Sequence, residues 1–189
     1  GEIDVARLSQ GRLRPHRRHV QIVFQDPYRS LNPRRNVGQS IVEGPMNFGV
    51  SLTDAMQRAR SLMELVRLDP ASLDRYPHEF SGGQRQRICI ARALAMEPDL
   101  LVADEPVSAL DVSVQAQVLK LLDEIRGRLH LTMLFITHDL RVAAQVCDRI
   151  AVMREGRIVE HGPIADVYAR PRHEYTRALL AAAPGRGRF

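Results

Sequence analysis

Ser81-Gly82-Gly83-Gln84-Arg85-Gln86-Arg87, then Leu100-Leu101-Val102-Ala103-Asp104-Glu105-Pro106, then Ser108-Ala109-Leu110-Asp111 follow one another after Phe80, and their reading decides the fold. The first piece opens an amphipathic pattern that runs on through Ile88, Ile90, Ala91 and Leu94, so a helix is expected to begin near Gly83 to Arg85 on a bare Ser-Gly-Gly. Such a start turns backbone N–H groups and the positive end of the helix dipole toward an anion, and glycine lets the anion come close. The second piece is apolar from Leu100 to Ala103, as expected of a strand covered on both faces, and ends in two adjacent acids. The phosphate-cradling pattern G-x-x-x-x-G-K-[ST] that usually accompanies such features occurs nowhere in the 189 residues.

Outward from this stretch, short apolar runs alternate with long amphipathic segments, which predicts a parallel sheet flanked by helices. Upstream, Val20 to Phe24 reads as a strand ending at Gln25-Asp26-Pro27, followed by a Pro- and Asn-bearing loop through Ser30-Leu31-Asn32-Pro33. Thr53 to Arg67 has apolar residues at helical spacing, with Thr53 or Asp54 as the expected cap. Downstream, Val112 to Leu129 reads as a helix, and Thr132 to Ile136 as a buried strand ending in Thr137-His138-Asp139. A helix over Leu140 to Cys147, two strands joined through Glu155-Gly156 and a last helix near His173 to Ala183 complete the pattern. Three strands thus end at polar residues, Gln25, Asp104-Glu105 and His138, and the carboxyl ends of parallel strands form the ligand crevice of open sheets.

Composition narrows the class. With 44% hydrophobic residues in 189, a sizeable core can be buried, and no apolar run approaches the roughly 18 residues of a membrane span. The two cysteines, Cys89 and Cys147, stand apart in apolar patterns and are expected to be ordinary core residues. A net charge of +5, with Arg12, Arg14, His16, Arg17, Arg18 and His19 close together, raises nucleic-acid binding. The aromatic content of 5% and the absence of aromatics among those cations argue against it, and a basic face also suits an anionic membrane surface. No nucleic acid is expected as a partner.

The polar strand ends suit phosphoryl transfer, which needs positioning and charge neutralisation more than covalent help. Asp104 at a strand tip can hold a magnesium ion partly through water. Glu105 beside it is placed to act as general base on an attacking water. His138 can contact a terminal phosphate and orient the water, and Gln25 can reach the metal or the water from a flexible loop.

Taken in order, these residues resemble the ATP-binding cassette ATPases. Gln25 matches the Q-loop, Phe80 to Gln84 the signature, Leu100 to Glu105 the Walker B strand with its catalytic glutamate, Ser108 to Asp111 the D-loop and His138 the switch histidine. The fold implied is α/β, a P-loop NTPase core with a mostly parallel sheet flanked by helices plus a helical sub-domain, its N-terminal part missing. Val23-Phe24-Gln25-Asp26-Pro27 with Ser30-Leu31-Asn32-Pro33, Tyr76-Pro77-His78-Glu79-Phe80, and the tail Pro171, His173, Tyr175-Thr176, Leu179-Leu180 resemble the ATPase subunits of dipeptide and oligopeptide importers.

The resemblance implies ATP and Mg2+ as cofactors, with Gln25, Asp104, Glu105 and His138 serving the chain's own nucleotide and Asp104 and Gln25 at the metal. Ser81, Gly82, Gly83, Gln84 and Asp111 would face the nucleotide of a second ATPase subunit, identical or paralogous. Transmembrane permease subunits and, indirectly, a solute-binding protein would be the other partners, at the cytoplasmic face of the inner membrane. Four regions are expected: 1–25 as the rest of the N-terminal core, 26–82 as the helical sub-domain, 83–162 as the RecA-like core and 163–189 as an importer-type tail. Gly1-Glu2-Ile3 resembles the segment just past the Walker A helix, so a chain cut before that loop is expected, inactive alone and with one unpaired sheet edge. The alternatives are a cassette protein of nucleic acid or ribosomes, and a non-hydrolysing subunit lending only its signature face.

Overall fold

In the computed structural model, which describes residues 4–182, the chain forms two compact units that divide between Ile136 and Thr137. The expected role of Gly1-Glu2-Ile3 and the inclusion of Ala183 in the last helix lie outside the described residues. The first unit is built on a parallel sheet of β1 Val20–Val23, β2 Leu100–Asp104 and β3 Thr132–Ile136, in that order. Its register sets Val23 beside Ala103 and Ala103 beside Phe135. Because side chains alternate along a strand, Val23, Leu101, Ala103, Met133 and Phe135 share one face, while Ile22, Val102, Asp104, Leu134 and Ile136 share the other.

Only the first of these faces is covered. Val23, Leu101 and Ala103 are buried, whereas Ile22 is 42% and Leu134 53% exposed. The expected burial of β2 on both faces, and of β3 as a whole, is therefore corrected. An apolar run states what a strand can bury; what it does bury depends on the helix layer, and α5, Gly82–Leu94, packs on β1 from the Val23 side. Among the described residues β3 pairs only with β2, so its other edge carries no strand.

Helices α1 Gln10–Leu13, α2 Pro27–Ser30, α3 Val37–Asn47, α4 Leu52–Leu65 and α6 Val112–Leu129 complete the first unit with α5. The Asn-Pro segment Leu31-Asn32-Pro33 is non-helical as expected, but α2 precedes it, and α3 follows it where the sequence pattern points to no individual element. Asn36 and Gln39 close a reciprocal capping box at the start of α3, where the Asn36 side chain accepts the Gln39 N–H at 2.8 Å. Gly44 and Pro45, both weak helix formers, hide that helix from a propensity reading. The cap of α4 is Ser51, whose hydroxyl accepts the Asp54 N–H at 3.1 Å, and not Thr53 or Asp54. Helices α3, α4 and α5 pack on one another around Ile41, Met63, Ile88 and Ile90. The basic cluster forms α1 and a 3-10 turn over Arg14–Arg18, largely exposed, and the His19 ring meets the Asp99 carboxylate at 2.8 Å.

The second unit holds α7 Leu140–Val146, an antiparallel pair of β4 Arg149–Arg154 and β5 Arg157–Pro163, α8 Ile164–Ala169 and α9 Glu174–Ala182. The hairpin turns on Glu155 at φ 50° and Gly156 at φ 75°, the two positive values that a tight turn matched to strand twist requires. Cys89 is buried in α5, where desolvation pushes its thiol up to about 11, and Cys147 is half-buried just past α7. No helix among the described residues is long and apolar enough to cross a membrane.

Candidate functional site

The site is assembled at the carboxyl end of β2. Asp104 is the strand's last residue, half-buried and opposite Ile136 in register. Glu105 leaves the strand at φ 45°, and its N–H donates to the Ile136 carbonyl at 2.9 Å. This is the left-handed region, which costs a side-chain-bearing residue roughly 1–2 kcal/mol. The turn that imposes it is closed by Ser108, whose N–H and hydroxyl both donate to the Glu105 carbonyl, at 3.2 and 3.1 Å. The two acids are thus set at one strand tip by a locally strained backbone, a pattern that accumulates at functional sites.

Gln25 stands exposed on the bend after β1, the strand adjoining β2. The segment behind it folds into the short helix α2. Asp26 caps α2 by accepting the Tyr28 N–H at 2.8 Å, Pro27 occupies the first turn, and Asn32 accepts the Arg34 N–H at 3.0 Å. His138 lies two residues past β3 in sequence, exposed on a bend and within the second unit. The next residue, Asp139, caps α7 and binds the Arg141 guanidinium through both carboxylate oxygens, at 3.1 and 2.8 Å, which holds its carboxyl below the usual range.

Ser81 to Gln84 is the start of α5, and that start is capped rather than bare. The Ser81 hydroxyl accepts the Gln84 N–H at 3.3 Å and the Gln84 side chain accepts the Ser81 N–H at 2.9 Å. A Ser with Gln three residues later is a capping box, a signal that the sequence itself carries. The box leaves out the amides of Gly82 and Gly83, the two first-turn donors that remain for an anion. The two glycines answer to different demands. A Cβ on Gly82 would be in ordinary contact with Leu110, at 3.7 Å, but one on Gly83 would meet Val114 Cγ1 at 2.4 Å, so Gly83 is required by α6 itself.

Asp111 is the N-cap of α6 and accepts the Val114 N–H at 3.0 Å. Gln115 braces the turn before it, donating to the carbonyls of Val107 at 2.9 Å and Leu110 at 3.0 Å. Sequence reasoning missed Gln115 and Val114, although an amide one turn into a helix after an Asp cap is a readable sign of a braced entry. The structure therefore sets the ends of β1 and β2, which lead into Gln25 and Asp104-Glu105, side by side, and brings Gly82 and Gly83 against Leu110 and Val114. A cavity of 590 Å3 lined by Arg58, Leu62, Arg67, Leu121, Glu124 and Ile125 includes none of these residues.

Among the described residues no group of three or more His, Cys, Asp and Glu side chains is placed to hold a metal ion. A Cβ added at Gly82 would meet only the Leu110 side chain, at an ordinary contact distance of 3.7 Å.

Residues 1–108 match the family model described as ABC transporter. The chain belongs to the ABC transporter family. A Brucella ovis relative whose name describes peptide import and ATP binding is 56% identical over 182 residues, covering 96% of this chain and 57% of its own length. The glutathione import ATP-binding protein GsiA of Salmonella typhi is 52% identical over 178 residues, covering 94% of this chain and 29% of its own. Among solved structures, CbiO1 of Clostridium perfringens, part of the ABC transporter complex CbiONQ, superposes with a TM-score of 0.77 at 31% identity, over 93% of this chain and 68% of that one. The chain thus spans 29% to 57% of the length of these curated relatives. ABC ATPases bind ATP, and the α/β architecture with its parallel sheet is that of the family.

Proposed function

We propose that this chain is part of the ATPase subunit that drives an importer of peptides or related solutes, working as a peripheral protein on the cytoplasmic face of the membrane. The observation that carries the reading is the pair Asp104-Glu105, held at the tip of β2 by a left-handed Glu105 and a ladder bond to Ile136. The relatives named for peptide and glutathione import support the substrate class.

In this reading Asp104 would hold Mg2+ through water, and Gln25 would approach the same ion. The ion, when bound with ATP, neutralises charge on the transferring phosphate. Glu105 takes a proton from the attacking water, an assistance worth about 10²- to 10⁴-fold. His138 orients that water. The amides of Gly82 and Gly83, with Ser81, Gln84 and Asp111, would face the nucleotide of a second ATPase subunit, and Asp111 would communicate between the two sites. Transmembrane permease subunits convert the closing and opening of the pair into solute movement, and a solute-binding protein delivers the cargo.

The test uses an importer ATPase that carries its own phosphate loop and has its signature serine replaced by arginine. Mixed with it, this chain supplies the missing Ser81–Gln84 turn, and hydrolysis is expected to rise at least tenfold. Hydrolysis that stays at the base level, or rises equally with Ser81→Arg chain, overturns the proposal.

A further inference from the structure

The segment that follows β1 is fastened to α5 at three places. The Arg85 guanidinium lies over the Tyr28 ring, 3.9 Å from its centroid. The Gln86 amide donates to the Phe24 carbonyl at 3.5 Å, and the Arg92 guanidinium donates to the Ser30 carbonyl. Arg85 and Arg92 are seven residues apart, two helical turns, and so lie on one face of α5. Arg85 also holds the chain that leads into Ser81: its Nε donates to the Pro77 carbonyl at 2.6 Å and its Nη2 to the His78 carbonyl at 3.3 Å.

Arg85 is 8% exposed and Gln86 is fully buried, yet Arg85 Nη1 and Gln86 Oε1 have no hydrogen-bond partner. A buried guanidinium and a buried amide are costly unless fully paired, and apolar side chains would fill the same volume at lower cost. The groups to which they are tied are the residues flanking Gln25 on one side and the approach to the signature turn on the other.

We propose that Arg85 and Gln86 are positioning residues that clamp the Phe24–Ser30 segment to the signature turn, so that a displacement at Gln25 is carried into Ser81–Gln84. The inference rests on the reading given above, in which Gln25 serves this chain's nucleotide and Ser81–Gln84 a partner's. The clamp then links two nucleotides of one dimer through a single polypeptide. Allosteric linkage of this kind needs an element that both sites bias, and α5 with its lashed segment is that element.

Tyr28 is the handle for the test, because its ring is mostly exposed and can be replaced without opening the core. Hydrogen exchange is measured on the full 189-residue chain for Tyr28→Leu and Tyr28→Trp. Loss of a partly desolvated cation–π contact is expected to speed exchange of the amides across 77–85 by about five- to thirtyfold in Tyr28→Leu. Exchange in β2 and the melting temperature stay as in the parent chain. Tyr28→Trp restores the slow exchange, since an indole offers the stronger π face, and introduces the chain's single tryptophan as a fluorescence reporter of the contact. Unchanged exchange across 77–85 in Tyr28→Leu, or no rescue by Tyr28→Trp, overturns the clamp. In the mixed assembly described above, Tyr28→Leu is expected to lower kcat severalfold with KM for ATP held within twofold. An assembly without hydrolysis, alongside exchange that responds as stated, overturns the ATPase reading while upholding the clamp.

Discussion

Glu105 is the residue at which stability and chemistry pull apart. Its φ of 45° is a conformation that glycine adopts freely and glutamate does not. Replacing Glu105 by Gly is therefore expected to raise the unfolding free energy of the chain by up to about 1 kcal/mol, measured by denaturant titration, while hydrolysis in the mixed assembly, which runs on the partner's nucleotide and draws on this chain only through Ser81–Gln84, stays within twofold. A Glu105→Gly chain that is less stable than its parent would show that the turn closed by Ser108 is unstrained. Cys89 makes a second residue-scale case. Its folded thiol sits near 11, above the roughly 8.5 of a free thiol, so the folded state holds its proton longer than the unfolded state does. Stability is thus complete below that free value and falls as the pH rises from about 8.5 toward 11. Cys89→Ala should flatten the melting temperature across that window, and a thiol reagent at neutral pH should label Cys147 well before Cys89.

At the scale of elements, Gly83 shows how a motif can answer to packing as well as to a ligand. Its missing Cβ leaves room for Val114, so Gly83→Ala is expected to destabilise the chain by about 1–3 kcal/mol, the usual range for overpacking. Val114→Ala in the same chain should recover most of that loss in a denaturant titration; no recovery would mean that α5 and α6 do not meet there as described. If the double variant regains stability but not hydrolysis, Gly83 is also needed by the phosphate. The cap of α7 gives the acid-side counterpart. The hydrogen-bonded Arg141 lowers the Asp139 carboxyl, so its contribution is present above the unfolded value near 3.9 and is lost as the pH falls through the lower folded value. Asp139→Asn should remove that acid-side slope from the melting temperature. Elements like these were legible where one local rule governs: the strand before Asp104, the helix after Asp111 and the Glu155-Gly156 hairpin all follow from apolar runs, an Asp cap and a turn pair. Helix α3 was not, because Pro45 and Gly44 spoil the pattern that Asn36 and Gln39 begin. The clamp of Arg85 on Tyr28 was not either, since the two are brought together only by tertiary packing.

For the whole molecule the decisive feature is the sheet face that the apolar runs of β2 and β3 predict to be buried and that stands open. Ile22, Val102 and Leu134 lie in one register row on that face, with Ile136 beyond them, and β3 has no strand on its far edge among the described residues. An apolar face of this kind beside an open strand edge favours association with further protein, because it combines transferable apolar area with unpaired backbone donors and acceptors. The chain is therefore expected to self-associate as its concentration rises, in sedimentation velocity, and to enhance the fluorescence of an apolar dye. Replacing Ile22 and Leu134 together by Thr should reduce both signals several-fold, because the substitutions keep β propensity and remove the apolar row. Val112 provides the control. It is 81% exposed at the start of α6, off the sheet, so Val112→Thr should leave association unchanged even though it removes a more accessible apolar side chain. Association that responds to Val112→Thr as strongly as to the sheet pair would place the contact elsewhere on the surface, and would leave the row of Ile22, Val102 and Leu134 without a part in it.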